Sequence, residues 1–194
     1  MDVLEINKVL QDEATGLLDE TKLLDTLSTI GRVELGGSYV YGTMVLEDVD
    51  IAVIVDEKDI TYDFRKRTMN LLLDIEGLDG IAMTDRAHFP RNQMPRGLYC
   101  GPLIWYNNRK WNIDIWFVTL DEPYSHINLK LHKKMLKITE GQRQTMLNIK
   151  YAALKDGSKI NSVTSSEIYI AVLDNGIKSL TDFLEYNKRV TKLR

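Results

Sequence analysis

Apolar residues recur along this chain in two different periods, and the change between them divides it. From Val3 to Leu10, and again from Glu20 to Ile30, Val, Ile and Leu return every three or four positions, the spacing of one helical face. Extended segments follow at Val33 to Leu35 and at Val49 to Val55, the second apolar enough to be buried on both faces. Helical spacing resumes over Tyr62 to Ile75, with Phe64, Met69, Leu72 and Leu73 among its apolar positions. Three more strands are predicted near Gly80 to His88, Leu98 to Tyr106 and Lys110 to Val118. The last two flank "NNRK", which reads as a hairpin turn.

After Asp121-Glu122-Pro123 there is no further proline, and helical periodicity dominates to the end. Helices are predicted near Ser125 to Thr139, Gln142 to Lys155, Ser165 to Leu173 and Ser179 to Arg189. Ser165 and Ser179 stand at N-cap positions, and Asn175-Gly176 where a helix should stop. The predicted class is α+β. Residues 1–121 form a mixed sheet with flanking helices, and residues 122–194 form a C-terminal helical region. The spacing from Ala171 to Gly176 fits a plain helical hairpin better than a DNA-binding helix-turn-helix.

Composition narrows the class without choosing a function. A chain of 194 residues, 44% hydrophobic and 27% charged, suits one ordinary globular domain or one with a helical appendage. The single Cys100 excludes a disulfide framework within the chain and fits a reducing compartment. The opening "MDVLEINKVLQDEATGLLDE" is acidic and amphipathic, unlike a secretory or transit peptide. No apolar run approaches the roughly 18 residues of a membrane span. These features read as a cytoplasmic protein with no membrane partner.

Charge is unevenly placed. Up to Leu129 there are 12 Lys and Arg against 22 Asp and Glu; from Lys130 onward there are 13 against 6. A basic C-terminal third beside an acidic body has the means to meet a polyanion, whether a triphosphate or nucleic acid. A lysine-rich solvated helical face explains the same numbers.

Chemistry concentrates in "LGGSYVYGTMVLEDVDIAVIV", Leu35 to Val55. Alternation along a strand puts Asp48 and Asp50 on one side and Val49 and Ile51 on the other. Two carboxylates beside a hydrophobic core are costly alone and favourable around divalent cations. Two such ions are the usual clamp for in-line attack on a phosphoryl group, and Mg²⁺ suits a site with few carboxylates. A third carboxylate is available in "WNIDIWFV", where Asp114 interrupts an apolar strand. Gly36-Gly37-Ser38 adds a turn whose backbone N–H groups and serine hydroxyl can approach phosphate oxygens.

Taken together, "GGSYVYGT", "EDVDIAVIV" and "NIDIW" resemble the nucleotidyltransferase superfamily of the DNA polymerase β type, antibiotic nucleotidyltransferases among them. Its signature is a Gly-Ser turn, an Asp-hydrophobic-Asp strand and a later third carboxylate. The resemblance implies a polymerase β-like core followed by helices. It also implies transfer of a nucleoside monophosphate from an NTP, ATP foremost, to a hydroxyl acceptor with release of pyrophosphate. Gly37 and Ser38 would then hold the triphosphate. Asp48 and Asp50 would bind two Mg²⁺ ions (Mn²⁺ being the alternative), and Asp114 would bind the catalytic ion and activate the acceptor. Glu47 stands where many relatives have Ser, and Tyr39-Val40-Tyr41 where many have a basic residue.

Lys130, Lys134 and Lys137 are spaced to share a helix face, and Lys130 or Lys134 is the candidate cation for the β- or γ-phosphate. Arg86, Arg91 and Arg96 in "RAHFPRNQMPRG" belong to a long loop suited to orienting an acceptor or phosphate. His126 and His132 lack partners at zinc-ligand spacing. Among the aromatic residues of the hairpin, Trp116 is expected in the core. The expected acceptor is a small molecule, cationic because the catalytic half is acidic. The alternatives are tRNA or a protein hydroxyl, which the basic helices fit, and a non-catalytic nucleotide-binding module of another class.

Overall fold

A computed structural model describes residues 2–92, 94–120, 129–155 and 163–192. The elements, in chain order, are α1 (Val3–Glu20), α2 (Leu23–Ser28), β1 (Arg32–Gly36), α3 (Gly37–Tyr41), β2 (Asp48–Ile54), α4 (Tyr62–Leu73), β3 (Leu78–Asp85), β4 (Gly97–Tyr106) and β5 (Arg109–Val118). They continue with α5 (Leu129–Met135), α6 (Glu140–Lys150), α7 (Ser165–Asn175) and α8 (Leu180–Lys192). The α+β class read from the sequence is the class observed. The boundary expected at 121–122 lies outside the described residues.

Two compact units are present. One comprises Asp12–Val40 and Glu47–Asn128; the other comprises Met1–Gln11, Tyr41–Leu46 and Leu129–Arg194. In the first, five strands make a mixed sheet in the order β1-β2-β5-β4-β3. The central pair β2 and β5 is parallel, and every other pairing is antiparallel. Val49, Ile51 and Val53 of β2 and Ile113, Ile115 and Phe117 of β5 are buried on one face. Helix α4 covers that face, with the Phe64 and Phe117 rings edge to face at 5.6 Å. Its start is capped by the Thr61 hydroxyl, which accepts from the Phe64 N–H. The opposite face of β5 carries Asn112, Asp114 and Trp116, all half-buried.

The hairpin turn is observed where "NNRK" predicts it. Asn107 and Asn108 have φ of 48° and 60°, the consecutive left-handed pair of a two-residue turn matched to strand twist. At the N-terminus the structure departs from the periodicity. One continuous 18-residue helix replaces the shorter helix expected to stop near Leu10. Ala14, Leu17 and Leu18 continue its buried face. Gly16, inside this helix, is a close approach: a Cβ there would stand 2.4 Å from the Tyr106 hydroxyl. Lys22, at φ 54°, makes the break instead.

The second unit buries Met146, Ile149, Ile168, Tyr169, Val172 and Phe183 among its helices. Thr164 rather than Ser165 caps α7, in a reciprocal capping box with Glu167. Gly176 ends that helix in the left-handed conformation, as Asn175-Gly176 predicts. Helix α5 is shorter than the one expected over Ser125 to Thr139, of which residues 125–128 are outside the described set; Lys137 falls beyond its end. No helix among the described residues is long and apolar enough to cross a membrane.

Candidate metal centre

The parallel register of β2 and β5 sets Asp50 directly beside Asp114 and Asp48 beside Asn112. Alternation keeps all four side chains off the buried face. One carboxylate oxygen from each of Asp48, Asp50 and Asp114 lies within 4.8 Å of the others. At an effective dielectric of about 20, charges at that separation repel by roughly 3 kcal/mol per pair. Such a cluster is stable only with compensating cations or donors, and Asn112 and Tyr99 are among the donors that the structure supplies.

Asn112 bridges the cluster: its Nδ2 donates to Asp48 Oδ1 at 2.8 Å and to Asp114 Oδ1 at 3.2 Å. The Tyr99 hydroxyl donates to the same Asp114 oxygen at 2.6 Å. Burial first, then the hydrogen bond to Asp114 and the charges of Asp114 and Asp48, push the Tyr99 phenol far above its ordinary range. It therefore stays a protonated donor. Asn112 was legible in principle, since it stands two residues before Asp114 and shares its strand face. Tyr99 was not, because its reach depends on β4 pairing it with Trp116 opposite.

The Gly-Gly-Ser turn meets the cluster directly. Gly36 pairs with Asp50 across β1 and β2, and Gly37 has φ of 60°. A Cβ on Gly37 would fall 1.7 Å from Asp50 Oδ2. Only glycine lets the backbone lie against this carboxylate. Ser38 follows within α3.

The donor set is all oxygen, with no nitrogen or sulfur ligand, and it is hard and anionic. It fits Mg²⁺ or Mn²⁺ rather than zinc. Mg²⁺ ligand oxygens at about 2.1 Å from the ion lie roughly 3–4 Å apart, so the observed spread needs only small carboxylate rotations.

Other residues singled out in the sequence go elsewhere. Glu47 accepts a hydrogen bond from Arg109 Nη1 at 2.9 Å, and Arg109 Nε pairs with Glu13 at 2.9 Å. Trp116 is not in the core: it is half-buried on the Asp114 face, 5.1 Å from the Tyr99 ring. Trp111, on the other face, is the fully buried tryptophan. Cys100 is also buried, and burial pushes its thiol up to about 12, which leaves it unreactive. In the second unit, Lys130 is exposed and Lys134 is ion-paired with Asp174. His132 Nδ1 shares a hydrogen bond with the Tyr41 hydroxyl at 2.9 Å, and His126 lies outside the described residues.

No family model matches the sequence, and no curated protein matches it. Solved structures do match. The chain is similar to the Cid1 poly(U) polymerase, with a TM-score of 0.59 and 20% identity, over 84% of this chain and 48% of that one. It is also similar to the poly(A) polymerase complex GLD-2–GLD-3, with a TM-score of 0.56 and 14% identity, over 93% of this chain and 61% of that one. The chain thus spans about half to three-fifths of the length of these two chains. The chain therefore shares its fold with these two polymerases, a mixed sheet with flanking helices followed by C-terminal helices, the architecture that the sequence resemblance implied.

Proposed function

We propose that this chain is a metal-dependent nucleotidyltransferase that moves a nucleoside monophosphate from an NTP to a hydroxyl acceptor and releases pyrophosphate. The observation that carries the reading is the convergence of Asp48, Asp50 and Asp114 within 4.8 Å on the sheet face opposite the buried one. When bound, two Mg²⁺ or Mn²⁺ ions would supply charge neutralisation at the α-phosphate and the leaving pyrophosphate. Asp48 and Asp50 hold them. Asp114 takes the proton of the acceptor hydroxyl as its oxygen bonds to the α-phosphorus and the α–β phosphoanhydride bond breaks.

Gly37 and Ser38 bind the triphosphate through the turn that lies against Asp50, and ATP is the first nucleotide to test.

The neighbours are, by name, a poly(U) and a poly(A) polymerase, and this supports a polynucleotide 3′-hydroxyl as acceptor over the small molecule that the acidic catalytic half suggests. The test is NTP turnover with Mg²⁺ over a panel of oligonucleotides and small hydroxyl compounds, read as pyrophosphate release. Asp50→Asn should abolish release and keep the wild-type melting profile. Undiminished release in that variant would end the proposal.

A further inference from the structure

The loop between β3 and β4 is cationic and carries exposed apolar side chains. Residues 86–96 read RAHFPRNQMPR, with three arginines and no acid. Phe89 is 69% exposed and Met94 is 44% exposed. Among the described residues, no carboxylate pairs with the guanidinium of Arg86, Arg91 or Arg96. Arg65, Arg109 and Arg143 behave differently: Arg65 goes to Asp85, Arg109 to Glu13 and Glu47, and Arg143 to Glu140.

The root of the loop is fixed. Asp85 Oδ1 accepts from the backbone N–H groups of Ala87 and His88, and Asp85 Oδ2 holds Arg65 at 2.7 Å and His88 at 2.9 Å. The Arg86 N–H donates to the Gly97 carbonyl at 2.8 Å and extends the β3–β4 ladder by one step. By alternation from Thr84 and Asp85, Arg86 falls on the sheet face that also carries Thr84 and Tyr99.

That face leads to the metal centre. Gly97, where the loop rejoins the sheet, is opposite Val118, and Tyr99 is opposite Trp116. Asp114 lies four residues back along β5 from Val118, or about 13 Å. The Tyr99–Trp116 ring pair stands between the two points. From Asp114 outward, the order is reacting carboxylate, aromatic pair, then Arg86 and the root of the loop that carries Phe89, Arg91 and Arg96. A stacked strand at about 3.4 Å per nucleotide covers that length in about four steps. Aromatic rings for bases and guanidiniums for phosphates are what a single strand needs from a protein.

We propose that this face is the track of a single-stranded nucleic acid acceptor. Its 3′-hydroxyl sits at Asp114, its last bases lie against Tyr99 and Trp116, and its upstream phosphates are held by Arg86, Arg91 and Arg96 beside Phe89. The proposal rests on the nucleotidyltransferase reading above, and names its acceptor class. An acidic peptide or a free polyanion would use the arginines but not the rings.

The test is equilibrium binding of a fluorescent single-stranded RNA of about 15 nucleotides to the full chain in EDTA, by anisotropy across a salt series. Wild type should bind with a steep salt dependence. Replacing Arg86, Arg91 and Arg96 together by Gln should lower the slope of log K against log salt by about 2, since each lost phosphate contact removes about 0.7. Phe89→Ala should weaken binding by roughly 5- to 100-fold while leaving the slope unchanged. Lys110→Gln, which removes a cation already paired with Asp79 at the other end of this face, should change neither.

Asp50→Asn should bind the RNA as wild type does while failing to transfer, which separates this inference from the catalytic one. A folded triple variant with wild-type slope and affinity would overturn the track. So would polyglutamate competing as well as RNA regardless of Phe89. Nucleotidyl transfer to small molecules with no RNA binding at low salt would overturn it too, and leave the enzyme standing.

Discussion

Gly37→Ala tests the geometry of the metal centre from the backbone side. The substitution adds one methyl group. That methyl would occupy a point 1.7 Å from Asp50 Oδ2 and 2.7 Å from its Cγ, so the carboxylate must leave its place. The backbone contributes separately. At φ 60°, a residue with a Cβ costs roughly 1–2 kcal/mol more than glycine. Forcing a group into filled space adds typically 1–3 kcal/mol. The single variant should therefore lose about 2–5 kcal/mol of stability, a large share of the 5–15 kcal/mol typical of a domain. It should also lose Mn²⁺ binding. The two contributions separate in a double-mutant cycle with Asp50→Ala. Without the carboxylate the clash disappears and only the cost of the backbone conformation remains, so the pair should couple by about 1–3 kcal/mol. Asp50→Ala alone supplies the reference corner of the cycle, its own change in stability being read in the same titrations. Urea denaturation of the four proteins in EDTA reads the cycle, and Mn²⁺ titration followed by electron paramagnetic resonance reads the site. A Gly37→Ala protein of wild-type stability that still binds Mn²⁺ would refute the placement of this turn against Asp50.

Tyr99→Phe keeps the ring beside Trp116 and removes only the donor to Asp114; Mn²⁺ affinity and transfer rate should each fall about 10- to 100-fold, as expected for a residue orienting a metal ligand. Unchanged Mn²⁺ affinity in Tyr99→Phe would show that the hydroxyl does not orient the metal ligand. Asp85 governs the acid limb of stability. Burial disfavours its charge, but the His88 backbone and imidazole and the Arg65 guanidinium outweigh that and hold its carboxyl below the usual range. Its contribution is complete above the unfolded pKa of about 3.9 and is lost as pH falls through the lower folded value. Asp85→Asn should thus be less stable than wild type at neutral pH, with the gap closing below about pH 4 in urea titrations across pH. A gap independent of pH would assign the effect to packing instead.

How much of this was written locally varies with the kind of contact. Strand β2 and its two aspartates were legible because alternation is a property of one strand. "DVDIAVI" states which residues share a face before anything folds. Asp114 was legible for the same reason, as a charge that an apolar strand had no other use for. The Asn107-Asn108 turn and the Gly176 stop were equally local, since each needs a left-handed backbone that few residues adopt readily. Helix α1 was legible only in its first half: apolar spacing marks Val3 to Leu10, whereas the burial of Ala14, Leu17 and Leu18 that carries it on to Glu20 is decided by packing.

What only the tertiary structure decided is which carboxylates meet and what holds them. Asp50 is beside Asp114 because β5 inserts between β2 and β4, and sheet order is a global choice among strands of similar composition. Tyr99 reaches Asp114, and Trp116 leaves the core to stand beside it, because the β4–β5 register places them so. Periodicity assigns a residue to a face. It carries no information about the neighbour across the gap, because that neighbour is selected by the packing of the whole sheet.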